Sequence, residues 1–350
     1  MKETMLGAVL HGKEELRVEP VAVPEPGPTD LLVKVQVALT CGTDLKVFRR
    51  GHHARMIQPP AVLGHELAGD IVALGSKVSG FEVGQRVVAA NSAPCFDCFF
   101  CRRNRENLCE HLLFNNGAYA EYVRIPGRIV ECNTHQIPDD VDYREAAMVE
   151  PLACVLRGLE ETELAEGDTV AVIGLGPIGL MFVRLAKLAG ARVIAVGRRP
   201  TQLARAESMG AEYLITSSPD DDAVDSVRRC TEDGRGADVV IEAVGSPHAW
   251  RAAMQMVRSG GTVNFFGGCP RDSQVCLDTS QIHYSEINLK SSFHHTPRHI
   301  RQALDLVSRR QIQASDFVIN DAPLTKLLEV FQHMMSHNGH LKTAILPWAK

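Results

Sequence analysis

Apolar residues in the first part of the chain come in short runs split by Pro and Gly: LLVKVQVALT from Leu31, DIVALG from Asp70, QRVVAA from Gln85 and AEYVRI from Ala120. Runs of this length, bounded by turn signals, predict strands, and several in succession predict a small β-rich, barrel-like domain. The pattern changes after Glu150. Apolar strands then alternate with helical periodicity: TVAVIG, PIGLMFVRLAKLAG, ARVIAVG, TQLARAESMG, ADVVIEAVG, HAWRAAMQMV and GGTVNFFGG. That alternation predicts an α/β domain with a doubly wound parallel sheet and crossover helices. The tail returns to a helix, RHIRQALDLVSRR, and a last strand, HLKTAILPW. The expected layout is a nucleotide domain over residues 152–288, flanked by residues 1–151 and 289–350 of a second domain.

Bulk properties narrow the function classes. A chain of 350 residues is long for one hydrophobic core, which supports two domains. With 45% hydrophobic and 23% charged residues the composition is that of a soluble globular protein. A net charge of -5 and a pI near 6.3 argue against nucleic acid or a membrane surface as partner. The opening MKETMLGAVLHGKEELRV has no long apolar run behind a basic head, and no segment approaches the roughly 18 apolar residues of a span. Ten cysteines in a long chain read this way point to reduced thiols and metal sites, and to the cytoplasm.

TVAVI runs directly into Gly174-Leu-Gly176-Pro177-Ile178-Gly179, and a helical pattern follows. Glycines there permit a tight turn, close approach of a pyrophosphate and close helix–strand packing, while the helix N-terminus favours the anion. The next strand ends in RVIAVGRRP. An acidic residue usually closes that strand and grips the adenosine ribose of NAD. Gly197 stands there instead and makes space, and Arg198 and Arg199 offer forked donors suited to a 2′-phosphate. Charge-assisted hydrogen bonds contribute about 1.5–3 kcal/mol each, so one or two would shift preference tenfold to a few hundredfold. The expectation is NADP over NAD, the alternative being an indifferent pocket with an arginine in solvent.

Cys95, Cys98, Cys101 and Cys109 place four thiols within fifteen residues, in a loop spanning roughly 91–110. The spacing suits one tetrahedral zinc whose closed shell leaves no position for substrate, making the site structural. Disulfides and an iron–sulfur cluster are the rival readings. Three further pieces carry metal-ligand chemistry: Cys41-Gly-Thr43-Asp44, Gly64-His65-Glu66 and Glu150-Pro-Leu-Ala. A thiolate, an imidazole and a carboxylate make a mixed zinc site with room for water or substrate. Spacing alone does not assemble them.

Taken together and in this order, these residues, the four-cysteine loop, the GLGPIG loop, GAYAEYV (117–123) and VVIEAVG (239–245) resemble the zinc-dependent medium-chain alcohol dehydrogenases, most closely the sorbitol and threonine dehydrogenase branch. The resemblance covers essentially the whole chain. It implies a GroES-like catalytic domain, a Rossmann domain, an active site in the cleft between them and a homodimer or homotetramer. It also implies Cys41 and His65 as ligands of a catalytic zinc, with Glu66 and Glu150 as carboxylates that ligate it or stand just behind. Asp44 matches a partner that orients the imidazole of His65, and Thr43 the hydroxyl that accepts the alcohol proton. Val244 and Gly245 match the cofactor-binding stretch. The implied reaction is hydride transfer between a secondary alcohol and the nicotinamide, with two zinc ions per chain.

The sequence departs from its relatives twice. Where many carry a relay histidine two residues after Asp44, Lys46 stands, which reads as a solvent or cofactor-phosphate contact; His52 and His53 lie nearby as possible substitutes. Where sorbitol dehydrogenases carry an Arg-Tyr pair that contacts the polyol, His294 and His295 stand. Two imidazoles can read hydroxyl, amino or phosphate groups. A polyol, cyclitol or amino alcohol fits better than ethanol, although Phe48 and Phe114 offer a lining for an apolar slot. The rival classes are a non-catalytic NADPH-binding or redox-sensing protein and a zinc-free enone or quinone reductase. The latter lacks the four-cysteine loop and the Cys/His pair.

Overall fold

In the computed structural model, which describes residues 3–52, 55–218, 223–336 and 341–349, the chain forms two compact units. One comprises Met1–Ala153 and His295–Lys350, the other Cys154–His294. No helix among the described residues is long and apolar enough to cross a membrane.

The first unit is β-rich and GroES-like. Its main sheet runs Thr134–Gln136, Arg86–Ala89, Leu67–Leu74, Leu31–Leu39, Lys342–Leu346, Val318–Pro323, with Tyr122–Ile125 also pairing to Leu31–Leu39. Strand Leu31–Leu39 anchors it: Lys34 and Gln36 are partly exposed while its leucines and valines are buried. These pack with Leu10, Ile71, Tyr119 and Phe331 in one core. The register of this strand positions the chemistry. Ala38 pairs with Leu67 and Leu39 with Ala344, in antiparallel ladders. The end of one strand, the start of the second and the start of the last therefore converge at one spot, where Thr40-Cys41, His65-Glu66 and Lys342 sit.

The second unit carries six parallel strands in the order Tyr213–Thr216, Arg192–Gly197, Thr169–Ile173, Ala237–Glu242, Val257–Phe265, Asn288–Ser291. This is the Rossmann order, with its reversal between Thr169–Ile173 and Ala237–Glu242. Ala171, Ile194, Val240 and Val263 are fully buried, as expected for a sheet covered on both faces. Helices Pro177–Leu188, Pro200–Ser208 and Pro247–Met256 each begin with proline, whose fixed φ and missing N–H suit the first helical position. The break expected after residue 288 would cut strand Asn288–Ser291. That strand pairs with Val257–Phe265 from Thr262↔Asn288 onward, so the unit extends to His294.

Candidate functional site

Helix Gly42–Arg50 starts at Cys41, whose Sγ accepts the N–H of Thr43 at 3.4 Å. The helix stops at Gly51, which adopts a left-handed φ of 82°. Asp44 in its first turn is buried and Oδ1 lies 2.9 Å from Nδ1 of His65. The other carboxylate oxygen accepts the Tyr119 hydroxyl at 2.7 Å. A Tyr119–Asp44–His65 chain therefore fixes the imidazole and directs Nε2 away from Asp44. Gly64 is required next to it: at φ 93°, a Cβ would stand 2.8 Å from the Tyr119 ring.

Ligand atoms of Cys41, His65 and Glu66 lie within 4.8 Å of one another. Burial acts to lower the pKa of His65, but the charges of Asp44 and Cys41 outweigh it and hold the imidazole well above its usual range. A soft sulfur beside an imidazole and a carboxylate suits zinc. Glu66 is fully buried, and its oxygens accept the Lys342 ammonium at 2.7 and 2.6 Å. Burial raises the carboxyl pKa there more than Lys342 lowers it. Glu150, near the start of helix Val149–Glu160, is also buried, and burial pushes its carboxyl up to about 7. Its Oε1 lies 3.8 Å from Nε2 of His295.

Other expected residues lie elsewhere. Phe48 is 3% exposed and packs against Phe331 with ring centroids 5.6 Å apart, so it is core and lines no slot. The cause is helical spacing, which turns Asp44, Val47 and Phe48 inward while Lys46 faces solvent. Phe114 is half-buried in a two-stranded ribbon opposite Ser92. His295 is buried, with Nε2 3.0 Å from Oδ1 of Asn91, whereas half-buried His294 has φ 65° and rests against the Phe293 ring. His52 is exposed, and His53 lies outside the described residues. The pattern reading missed Lys342, Tyr119 and Asn91. A lone lysine inside the apolar run LKTAIL was the available signal for the first, since a buried charge needs a partner.

The four thiols of the 95–109 loop also come together, with Sγ separations of 4.0 Å (Cys95–Cys101), 3.5 Å (Cys98–Cys101) and 3.9 Å (Cys98–Cys109). A tetrahedron of radius about 2.3 Å has edges of about 3.8 Å, so the spacing fits one zinc ion and is too tight for a cluster of several irons. None of these cysteines is in a disulfide. Backbone N–H groups aim at the sulfurs, Cys98 to Cys95 at 3.4 Å and Cys95 to Cys109 at 3.2 Å. Hydrogen bonding from the backbone at Cys101 holds the Cys98 thiol down at about 6, whereas burial pushes Cys101 up to about 12 and raises Cys109 as well.

In the second unit the GLGPIG turn joins strand Thr169–Ile173 to helix Pro177–Leu188, with Gly176 as N-cap. Gly174 has φ 92°, and a Cβ at Gly179 would stand 1.7 Å from the carbonyl oxygen of Gly174, so the helix packs onto the turn only as glycine. Nothing lies within 4 Å of the place a Cβ would take on Gly176, leaving the backbone open to a phosphate. Pro177 and Ile178 flank that opening, half-buried. Glu242, fully buried at the end of its strand, accepts the N–H groups of Val244 and Gly245, both at 2.8 Å, and shapes the facing turn. Arg198 is exposed and Arg199 half-buried, and no ion pair engages either among the described residues. The expected role of Gly197 needs correction. A Cβ there would meet Cδ1 of Leu175 at 2.7 Å, so the glycine makes room for a side chain of the turn rather than for a phosphate.

Known proteins bear on this arrangement. Residues 177–309 match the zinc-binding dehydrogenase family and residues 27–139 the alcohol dehydrogenase GroES-like domain. Sorbitol dehydrogenase of Bacillus subtilis (strain 168) is 34% identical over 298 residues, covering 83% of this chain and 82% of its own. L-threonine 3-dehydrogenase of Chelativorans sp. (strain BNC1) is 33% identical over 297 residues, 83% and 84% of the two chains. A protein of Sinorhizobium meliloti 1021, described as a zinc-binding dehydrogenase and solved bound to NADP, superposes with a TM-score of 0.89 at 32% identity, covering 99% of this chain and 100% of its own. The chain thus belongs to the zinc-dependent medium-chain alcohol dehydrogenases, in their sorbitol and threonine dehydrogenase-like branch, and is an alcohol or polyol dehydrogenase that works with a nicotinamide nucleotide.

Proposed function

We propose that this protein transfers hydride between NADP(H) and a secondary alcohol that carries further hydroxyl or amino groups, giving the ketone. The observation that carries the reading is the Cys41–His65–Glu66 donor group, half-buried at Cys41 and buried at the other two, its imidazole oriented by Asp44. In it Cys41, His65 and a carboxylate, Glu66 or Glu150, hold the reactive zinc, while Cys95, Cys98, Cys101 and Cys109 hold a second, structural one. When bound, zinc acidifies the alcohol and polarises the ketone, and the nicotinamide accepts or returns the hydride. The protein supplies positioning and proton handling. Thr43, in the first turn of the helix that Cys41 caps, would accept the alcohol proton on its hydroxyl while passing its own proton on toward solvent. Asp44 holds Nδ1 of the His65 ring so that the lone pair of Nε2 would be free for the ion, and Tyr119 holds Asp44. His295 and Asn91 form a fixed polar pair that suits a hydroxyl- or amino-bearing substrate better than a plain aliphatic one.

On this reading Tyr119→Phe keeps the ring packing and loses one hydrogen bond to Asp44. It is expected to weaken zinc retention about tenfold, at the low end for partners behind a metal ligand, as measured by competition with a chromophoric chelator. Unchanged retention would leave Tyr119 as packing alone.

The NADP preference rests on Arg198 and Arg199, which follow strand Arg192–Gly197 and carry no carboxylate beside them. Because a residue larger than glycine at 197 disturbs Leu175, the clean variants are Arg198→Ala and Arg199→Ala. The double replacement is expected to weaken NADPH binding by about ten- to a few hundredfold and spare NADH, read by nicotinamide fluorescence titration. Equal loss for both cofactors would refute the phosphate reading. The overall function is tested by a nicotinamide-absorbance screen of polyols, cyclitols and amino alcohols with NADP and NAD side by side. Turnover with NADP supports the reading, turnover with NAD alone replaces the cofactor, and silence from a zinc-replete protein favours the non-catalytic class.

A further inference from the structure

We propose that Lys342 is a positioning residue that restrains Glu66, so that this carboxylate stands beside the ion held by Cys41 and His65 without closing the position a substrate needs. The inference rests on the zinc reading given above. Lys342 opens the last strand of the first unit, 276 residues from Glu66 in sequence, and is 3% exposed. An ammonium has three hydrogens. Here three acceptors take them: Oε1 of Glu66 at 2.7 Å, Oε2 at 2.6 Å and the Thr40 carbonyl at 3.1 Å. The strand that carries the lysine is itself tied down, since Thr343 N donates to Oγ1 of Thr40 at 2.9 Å and Thr40 N to the Thr343 carbonyl at 3.1 Å. One cation therefore spans the segment that ends in Cys41 and the segment that carries His65 and Glu66.

Stability does not account for this pair. Burying a lysine and a glutamate together gains little over two apolar side chains of the same volume, because desolvation offsets most of the attraction. The position of the pair is what singles it out: an oxygen of Glu66 lies within 4.8 Å of ligand atoms of both Cys41 and His65. A carboxylate there, left to itself, would give both oxygens to a divalent cation. With Lys342 drawing on both oxygens by short, charge-assisted bonds, less of each remains for the ion. A site bound by Cys41, His65 and an unrestrained Glu66, with Glu150 nearby, would approach the closed shell of a structural zinc. Lys342 keeps it an open one.

The test uses the full chain with cobalt(II) in place of zinc and azide as the probe ligand, read by visible absorption, together with the rate at which a chelator removes the ion. The wild-type cobalt protein is expected to change its spectrum on adding azide. Lys342→Met is expected to lose that response and to release the ion at least about tenfold more slowly, because Glu66 then closes the shell. The double variant Lys342→Met/Glu66→Gln is expected to regain the response, since a neutral amide does not compete as an anionic ligand. A Lys342→Met protein that still responds and releases the ion at the wild-type rate, or that loses the ion faster, overturns the inference while leaving the zinc reading intact. No azide response in the wild type overturns both. Should Lys342→Met not fold, Lys342→Gln takes its place, since it leaves Glu66 a neutral hydrogen-bond donor but removes the ammonium that draws on both oxygens: a lost azide response with slower release of the ion upholds the restraint, and a wild-type response with wild-type release refutes it.

Discussion

Cys41→Ser is expected to lower turnover by at least about a thousandfold while leaving nucleotide binding nearly unchanged. The thiol sits at the N-cap of helix Gly42–Arg50, where its Sγ accepts the Thr43 N–H. A serine hydroxyl caps a helix at least as well, so the local fold should survive the change. What a neutral hydroxyl cannot replace is an anionic sulfur ligand. Lewis-acid stabilisation of developing charge is worth several kcal/mol, and each 1.36 kcal/mol is tenfold in rate, which sets the size of the expected loss. The nucleotide loop belongs to the other unit, Cys154–His294, and shares no residue with this site. The check is steady-state turnover alongside fluorescence titration of NADPH, with zinc content measured on the same sample. Loss of nucleotide binding together with turnover would make Cys41 a structural residue.

Replacing Cys109 by serine should act on stability instead. The loop has a small core of its own: among the described residues, the hydrophobic partners of Cys98, Cys101 and Cys109 are Cys95, Phe100 and Leu112, while Phe96 and Phe99 are 53% and 55% exposed. On the proposed reading its order depends on an ion tying four sulfurs together, and metal binding to such a loop is itself folding free energy. A loss of about 4 kcal/mol would lower the melting temperature by roughly 8–16 °C for a domain of this size. The same variant should hold one zinc fewer per chain and be cut by trypsin at Arg102, Arg103 or Arg105, all in the freed loop. Unchanged melting with full zinc content would show that the loop folds without the ion.

Much of the protein follows from local sequence. The switch from short apolar runs split by Pro and Gly to strands interleaved with helical runs after Glu150 identifies the two architectures, because side-chain period is a property of the backbone itself. The four-cysteine loop and the glycine turn are legible for a similar reason: their parts lie within a few residues of one another, so spacing bounds geometry. Where residues meet through strand register, the sequence is nearly silent. Lys342 reaches Glu66 only because Leu39 donates its N–H to the Glu66 carbonyl on one side and pairs with Ala344 on the other. Tyr119 reaches Asp44 across 75 residues. Side-chain direction decides the rest. Phe48 points into the core because of its place on the helix, and Leu175 fills the space at Gly197 that the bare motif assigns to a phosphate. Sequence by itself determined the fold class, the thiol loop and the nucleotide turn, since each is encoded within one or two elements. Tertiary structure alone decided which charges share the metal pocket, because a buried ion pair is set by the register between strands and leaves only a faint local trace.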